Sequence, residues 1–566
     1  MNIATPLIWA AVCAASAALV FSPVTVVAVA ALALMSGAMC RGVSGEERRL
    51  LLWILLVAIV MRVIAVGLLF VWFEPGHMVS FPFDGDGSHL KLRSLWIRNV
   101  WLDVPIDQGQ FHGAFQAWGW TSYVYVLAYV QYLFGPAPYA VHLLSVCWTI
   151  AAAGLLYRLV RRSFGSAPAL VALTLMLFLP TLLAWSVSVL KDPWILFLMT
   201  VVLFGTERAV RSRHSASRVG WAGAVVLVTL VLDTTRVGSL AIVGGTLVVA
   251  MIGTFVTRRR YALVASVVVL PLLISIAWQQ PGTPSVQERI MAGVRTASTT
   301  HIGHVETSGY SYKLLEQRFY SGDSSESMTP AEGLRFMVRA AYSFVLVPLP
   351  WQAGATLHLM FIPQQWLWLL LLPLAAAGAV MAVRRDPLVA WLFIGVISVS
   401  ALVIAPHEGN IGTLVRHRDG VVPFVVCLSA IGLMSMLSRV GGVAAIVESS
   451  LFAASVRGIL GAAILAPSVG IRRLWRASAL ASAVDELRGR EDRLWVRWFG
   501  IALLAGTTAS VVVAPFGEHA RPSLFVGAGA AVCGLFLIVC APALVCAWRE
   551  KHVPSVEIDP SSSTAA

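Results

Sequence analysis

Long apolar stretches separated by short polar turns recur along most of the chain. Many of them reach about 20 residues, the length that crosses the hydrocarbon core of a bilayer as an α-helix. The pattern therefore predicts an all-α polytopic membrane protein with about fourteen transmembrane helices. The predicted spans are residues 4–20, 23–40, 50–73, 139–160, 168–187, 193–208, 220–236, 239–257, 261–278, 364–383, 388–406, 420–438, 498–515 and 523–547.

Short clusters of Lys and Arg at the ends of these stretches set the predicted orientation. Examples are "RR" at 48–49, "YRLVRR" at 157–162 and "RRR" at 258–260. Basic residues concentrate in cytoplasmic loops, so these ends are placed in the cytoplasm. One apolar segment, 118–135, would break the alternation if it crossed. Its many aromatic residues favour a helix that lies in the interface or re-enters.

This threading divides the chain into five parts. No Lys or Arg precedes the first apolar stretch, so we expect a retained span there and not a cleaved signal. The predicted parts are an N-terminal transmembrane hairpin (1–49), a transmembrane core (50–440) with extracytoplasmic loops 74–118 and 279–335, a basic amphipathic segment on the cytoplasmic surface (441–497), a C-terminal transmembrane hairpin (498–548) and a disordered tail (549–566).

Composition supports the membrane class and narrows the partners. Of the 566 residues, 58% are hydrophobic and only 12% are charged, against roughly 25% charged residues in soluble proteins. The net charge of +13 forms no basic face with interleaved aromatics, so we expect membrane lipids and no nucleic acid as partners. The 7 cysteines lie in or beside apolar stretches and show no metal-ligand spacing.

The sequence "FPFDGDG" at 81–87 places two acids, Asp84 and Asp86, at the outer mouth of a predicted span. A positioned carboxylate can act as a general base, and an Asp-x-Asp pair can also ligate a divalent metal. Gly and Asp dominate turns as well, so a plain turn is a third interpretation. Calcium binding of the EF-hand type is excluded, because Leu95 stands where that loop needs its Glu. The apolar residues of 89–101 have helical spacing, which predicts a juxtamembrane helix.

Three outward turns carry cations, against the positive-inside rule. An unpartnered charge at mid-membrane costs about 2.5–3.5 kcal/mol, so we expect these cations to have partners. Simple alternatives are a helix start at "KDP", a local ion pair between Arg236 and Asp233, and a headgroup anchor at "RHRD". Together the turns predict an anion site, because the guanidinium fork suits phosphate oxygens. The cations are Lys191, Arg236, Arg416 and Arg418.

Several longer stretches resemble the GT-C superfamily of polyprenyl-phosphate-dependent glycosyltransferases, specifically its bacterial protein-mannosyltransferase-like group. They are "YLFGPAPYAVHLLSVCWTIAAAGLLYRLVRRSFG" (132–165), "WSVSVLKDP" (185–193), "PLPW" (348–351) and "GNIGTLVRHRDGVVP" (409–423). The resemblance covers roughly residues 50–440. This chain departs from the group in its extra N-terminal hairpin, in "DGDG" in place of an Asp-Glu pair, and in having no large soluble C-terminal domain.

The resemblance implies a GT-C-like fold with juxtamembrane helices in the first extracytoplasmic loop. It implies inverting transfer of a sugar from a polyprenyl-phosphate donor to an acceptor hydroxyl, in cell-envelope glycan assembly at the outer face of the plasma membrane. The acceptor is a glycan, a lipid or a protein. The expected general base is Asp84 or Asp86, and His89 orients the base or the acceptor. The expected phosphate ligands are Lys191, Arg236, Arg416 and Arg418. A divalent metal on Asp84 and Asp86 stays open.

Three other functions fit parts of the pattern. A lipid-linked-oligosaccharide polymerase or ligase would bind pyrophosphate with the same arginines and depend less on the two acids. A transporter or flippase would need ionisable residues near mid-bilayer on broken helices, and most predicted spans have none in their centres. A non-catalytic scaffold for envelope assembly would be insensitive to changes of Asp84 and Asp86.

Overall fold

The computed structural model describes residues 23–43, 45–72, 85–117, 119–136, 140–258, 286–307, 311–348 and 362–439. The predicted spans 4–20, 261–278, 498–515 and 523–547, the segment 441–497 and the tail lie outside the described residues. The described part is helical, and its one β contact is an isolated bridge between Ser311 and Asn410.

In chain order the helices are α1 (Pro23–Met39), α2 (Gly45–Trp72), α3 (Gly85–Trp101), α4 (Gln108–Phe115), α5 (Ser122–Phe134), α6 (Ala140–Phe164), α7 (Ser166–Phe178), α8 (Pro180–Ser186), α9 (Asp192–Arg211), α10 (Ser215–Thr235), α11 (Ser239–Arg258), α12 (Val286–Glu306), α13 (Gln317–Tyr320), α14 (Pro330–Leu346), α15 (Ile362–Arg385), α16 (Pro387–Ile404), α17 (Ile411–Asp419) and α18 (Val422–Arg439). Short 3-10 turns lie at Ser325–Ser327 and Ala405–His407.

The expected all-α polytopic class is confirmed. In the described part, 7 helices are long and apolar enough to cross a membrane, and two bent pairs, α7–α8 and α17–α18, raise the number to 9. The predicted spans in this part match helices to within about five residues at each end, the accuracy that hydropathy patterns allow. The central helix is α6, which contacts α1, α2, α7 and α9.

Helices α3 and α4 lie within the first predicted outer loop, as expected, and α5 follows it. The last of them, α5, has 13 residues, and at 1.5 Å per residue it is about 20 Å long. A hydrocarbon core about 30 Å thick is too wide for it. This length agrees with the expectation that 118–135 does not cross. The second predicted loop, 279–335, contains α12, α13 and the start of α14.

Two glycines let α15 and α18 pack backbone to backbone. A Cβ added at Gly378 would lie 1.8 Å from the Leu428 carbonyl oxygen, and one at Gly432 would lie 2.0 Å from the Leu374 carbonyl oxygen. Helices in membranes associate through such small residues, because the lipid removes most of the hydrophobic driving force between them.

The break between α7 and α8 is held by side chains from other helices. A proline starts α8 and supplies no amide proton. The Thr181 amide donates to Gln364 Oε1 at 3.2 Å, so the Leu177 carbonyl needs another donor. Arg62, fully buried on α2, donates to that carbonyl at 2.8 Å and from Nε to Ser186 Oγ at 2.8 Å. Arg62 thus donates hydrogen bonds to polar groups that the helix break leaves without their usual partners.

The glycine contacts predict a stability difference between two substitutions. Gly378→Ala should lower the melting temperature of the detergent-solubilised protein, because overpacking of this kind typically costs about 1–3 kcal/mol. Gly244→Ala on α11 is the matched control, since a Cβ there meets nothing within 4 Å. Equal melting temperatures for the two variants would contradict the tight α15–α18 contact.

Candidate active site

Arg416 on α17 connects three separate elements at the predicted outer end of the bundle. Its Nε donates to Asp192 Oδ2 at the start of α9, at 2.8 Å. Its Nη1 donates to Asp86 Oδ2 on α3, at 2.7 Å. The side chains of Arg416 and Asp192 are each 14% exposed, whereas that of Asp86 is 71% exposed. An acid from the first loop therefore meets an arginine from a late turn, in line with the expectation that the outward cations have partners.

Lys191 and Arg236 lie beside these ion pairs and have no direct partner among the residues that the structure describes. Lys191 takes the N-cap position of α9, and Arg236 is the C-cap of α10. Burial lowers the pKa of Lys191, Asp192 opposes that effect, and Arg236 and Arg416 lower the pKa further. Burial also lowers the pKa of Arg236, against the opposing charges of Asp192 and Glu408. Within the described part of the chain, neither side chain has a hydrogen bond or an ion pair.

Glu408 is a second buried acid near Arg236, with 2% of its side chain exposed. Nδ1 of His417 is in hydrogen-bond contact with its Oε1, and Nδ1 of His304 lies 3.7 Å from its Oε2. Burial acts to raise the pKa of Glu408. The charges of His417, His304 and Arg236 outweigh that effect and hold this pKa below its usual value.

A cleft opens beside Arg416 and Asp192. It contains about 450 Å³ of empty space, counting its open side. Asp419 also lines it, and there accepts hydrogen bonds from Trp185 Nε1 at 2.7 Å and from Gln364 Nε2 at 3.4 Å. The cleft wall is thereby joined to the break in α7–α8. Its apolar lining includes Ala153, Met176, Leu182 and Leu196.

Helix α12 packs against the turn that carries Glu408. His301 contacts the Glu408 carbonyl through Nδ1 at 2.6 Å and the Tyr320 hydroxyl through Nε2 at 2.9 Å. Burial lowers the pKa of His301 to about 4. The neutral ring donates from Nδ1 to the carbonyl and accepts at Nε2. Gly409 allows this close approach, because a Cβ there would lie 2.6 Å from the His301 carbonyl oxygen.

The structure brings together four of the residues that the sequence singled out, Asp86, Lys191, Arg236 and Arg416. His89 lies on α3, three residues after Asp86, and is half-buried. Asp84 lies outside the described residues. The catalytic and phosphate-binding roles of all these residues stay predictions.

Arg418 is not placed with the other cations. Its Nη2 donates to Gln365 Oε1 at 2.8 Å, and its Nη1 donates to the Val347 carbonyl at 2.9 Å. The guanidinium also lies over the Trp368 ring, 5.1 Å from the ring centroid. These contacts join α17 to α15 and to the end of α14. The structure thus gives Arg418 a packing role where the sequence suggested a phosphate ligand.

Two further outward arginines are also satisfied by protein groups. Arg93 donates from Nε to the Ala114 carbonyl at 3.0 Å, and Arg98 donates from Nε to the Gln131 carbonyl at 3.0 Å. Backbone carbonyls thus explain why these arginines tolerate the predicted outer side. Lys191 and Arg236 differ from them in having no such acceptor among the described residues.

Sequence reasoning missed part of this site. It considered Asp192 only as a helix cap, but Lys191 holds the N-cap position and the Asp192 carboxylate binds Arg416. It also considered an ion pair between Arg236 and Asp233, whereas Asp233 accepts from the Leu240 amide at 3.0 Å. The polar turn "WSVSVLKDP" indicated where part of the site lies. Contacts between turns that are distant in the chain leave no pattern in the local sequence, so the partners could not be predicted.

The described residues contain no group of three or more His, Cys, Asp or Glu side chains arranged to hold a metal ion. Asp84, half of the Asp-x-Asp pair, is not among them. The metal alternative of the sequence analysis therefore stays open.

The pKa of His301 predicts a pH dependence of stability. The unfolded chain takes up a proton near pH 6.5, but the folded protein resists it down to about pH 4. The contribution of about 3 kcal/mol is thus fully present above pH 6.5 and is lost as the pH falls toward 4. The melting temperature of wild type should fall as the pH is lowered from 6.5 to 4, and that of His301→Gln should fall less. His214→Gln, which changes an exposed histidine, is the control and should behave like wild type. Parallel plots of melting temperature against pH for wild type and His301→Gln would exclude the effect.

Comparison with known proteins gives one family match. Residues 122–278, which include Lys191, Asp192 and Arg236, match the family described as dolichyl-phosphate-mannose-protein mannosyltransferase. No curated protein matches the chain. The family match confirms the resemblance seen in the sequence and, with it, the glycosyltransferase class.

Two solved structures are similar over most of the chain. ArnT from Cupriavidus metallidurans bound to undecaprenyl phosphate is 18% identical, with a TM-score of 0.39 over 86% of this chain and 77% of that one. The apo state of the same protein is 16% identical, with a TM-score of 0.40 over 87% of this chain and 76% of that one. These scores are too low to equate positions between the chains.

Proposed function

We propose that this chain, a membrane glycosyltransferase of the GT-C type, transfers a sugar from a polyprenyl-phosphate donor to an acceptor hydroxyl. The reaction takes place at the extracytoplasmic face of the plasma membrane, in the assembly of envelope glycans. One observation carries the proposal: Asp86 is held by Arg416 beside two cations, Lys191 and Arg236, that have no ion pair among the described residues. The matched family, described by a lipid-phosphate sugar donor, supports the donor class.

Lys191 and Arg236 are suited to hold the donor phosphate. Arg416 already contacts Asp86 and Asp192, so Lys191 and Arg236, which have no such contact within the described part of the chain, supply the positive charge that an incoming anion meets. The donor is a phosphodiester, and its phosphate gains negative charge as the bond to the sugar breaks. Fixed cations at the place where charge develops stabilise the transition state more than the ground state.

Asp86 is suited to take the acceptor proton. Its Oδ2 accepts from Arg416, and its largely exposed side chain leaves Oδ1 accessible to an acceptor from the aqueous side. The acceptor oxygen attacks the anomeric carbon while the bond from that carbon to the phosphate oxygen breaks. The electron pair of the broken bond goes to the phosphate, and the acceptor proton goes to the carboxylate. Attack opposite the leaving phosphate inverts the anomeric centre.

In this proposal residues 50–440 form the catalytic core. The cleft beside Asp192 is lined by the charged residues Asp192, Arg416 and Asp419 and by apolar side chains such as Met176 and Leu196, which suits a donor with a charged head and an apolar chain.

The phosphate assignment predicts selective loss of donor-site affinity. Lys191→Gln and Arg236→Gln should each weaken binding of a polyprenyl monophosphate about 10- to 100-fold, because a hydrogen bond to a charged group contributes about 1.5–3 kcal/mol. The dissociation constant can be measured with purified protein in detergent. Arg98→Gln is the control, since Arg98 is bound to a carbonyl at the same predicted side. Equal effects of all three changes would refute the assignment.

The base assignment predicts loss of chemistry without loss of binding. Asp86→Asn should reduce transfer by a factor of about 10² to 10⁴ and leave polyprenyl monophosphate affinity within a few-fold. Mass spectrometry of envelope glycans from deletion cells carrying each variant at matched protein levels measures the transfer. Asp103→Asn, an exposed acid after α3, is the control. Normal glycans from cells with Asp86→Asn would exclude Asp86 as the base and leave Asp84.

A further inference from the structure

Arg162 and Arg208 lie at the end of the bundle predicted to face the cytoplasm, in or near the last turns of α6 and α9. Their side chains are 45% and 37% exposed. Arg162 Nε is 3.5 Å from Glu207 Oε1, and Arg208 Nε is 3.8 Å from Glu207 Oε2. Among the residues that the structure describes, neither guanidinium has a hydrogen-bond acceptor. Both arginines therefore have donors to offer.

The charges around these two arginines do not balance. Glu207 is 1% exposed and also has Arg211 Nη1 at 3.4 Å, while Arg211 Nη2 contacts Asp386 at 2.5 Å. Three arginines face two acids, which leaves one positive charge in excess. We call this group the arginine cluster; it consists of Arg162, Arg208, Arg211, Glu207 and Asp386.

The position of the cluster indicates the kind of ligand. It sits where transmembrane helices end, which is the level of lipid headgroups. The Arg208 guanidinium lies 5.1 Å from the centre of the Phe204 ring, and that ring packs at 5.9 Å on Trp221. Positive charge thus lies directly beside an apolar surface of the bundle. A lipid can place its headgroup at the charge and its acyl chains along the apolar surface. Anionic lipids place phosphates at this depth, and guanidinium forks match phosphate oxygens.

We propose that the arginine cluster binds the phosphate of an anionic glycerophospholipid at the predicted cytoplasmic surface, with Arg162 and Arg208 as its direct ligands. The buried acid Glu207 holds both guanidiniums in place at distances too long for hydrogen bonds, so they keep their donors for the lipid. The site is separate from the outward cleft, and it does not depend on the transfer reaction.

Native mass spectrometry of the full chain tests this site directly. The purified protein is titrated with phosphatidylglycerol or with phosphatidylcholine that has the same acyl chains. Wild type should retain phosphatidylglycerol preferentially. The double variant Arg162→Gln/Arg208→Gln should bind it about tenfold more weakly. The control Arg213→Gln/Arg218→Gln removes the same charge from two exposed arginines on the α9–α10 side and should retain wild-type binding.

Three results would overturn the proposal. The first is equal retention of both lipids by wild type, and the second is an equal loss of phosphatidylglycerol by the double variant and the control. The third is displacement of the lipid by inorganic phosphate at equal concentration, which would make free phosphate the ligand. If the double variant is not recovered, Arg208→Gln alone, which leaves Arg162 beside Glu207, should still weaken retention about threefold.

Discussion

The two ion pairs of Arg416 are the interaction on which the outer end of this protein depends. A half-buried guanidinium needs compensating charge, and Asp86 and Asp192 supply it from the first loop helix and from the start of α9. Among the residues that the structure describes, neither acid forms an ion pair with Lys191 or Arg236. The charge of these two cations is therefore not compensated by a direct contact within that part of the chain, which suits the anion binding proposed above.

The cleft depends equally on the interrupted helix behind it. A membrane-spanning helix can be broken only where other groups replace its lost hydrogen bonds. Arg62 replaces one at the Leu177 carbonyl and Gln364 replaces another at the Thr181 amide. The same Gln364 contacts Asp419 in the cleft wall. The polar groups that stabilise the break thus also shape the cleft, so fold and site cannot vary independently.

Hydropathy and charge patterns predict much of this structure, because span position depends on local composition. The helix ends around α6, α9 and α16 follow from apolar length and flanking charge alone. The same rule marks Lys191, Arg236 and Arg416 as exceptional outward cations. The charge rule cannot distinguish these three cations from Arg418, because the hydrogen-bond acceptors of Arg418 come from the distant helices α14 and α15. Arg62 is missed for the same reason: Leu177 and Ser186, which it contacts at the helix break, lie more than 100 residues away.

Positive charge is left over at both ends of the bundle, but in different physical settings. At the inner end Arg162 and Arg208 are partly exposed, so a lipid headgroup can reach them from the membrane surface. At the outer end Lys191 and Arg236 are half-buried, and this burial lowers the pKa of both side chains. An anion that enters the site restores favourable interactions to them, and one that stays at the surface does not. Under the function proposed above, the outer site therefore favours a phosphate that moves into the cleft together with an apolar chain over an anion that stays at the surface.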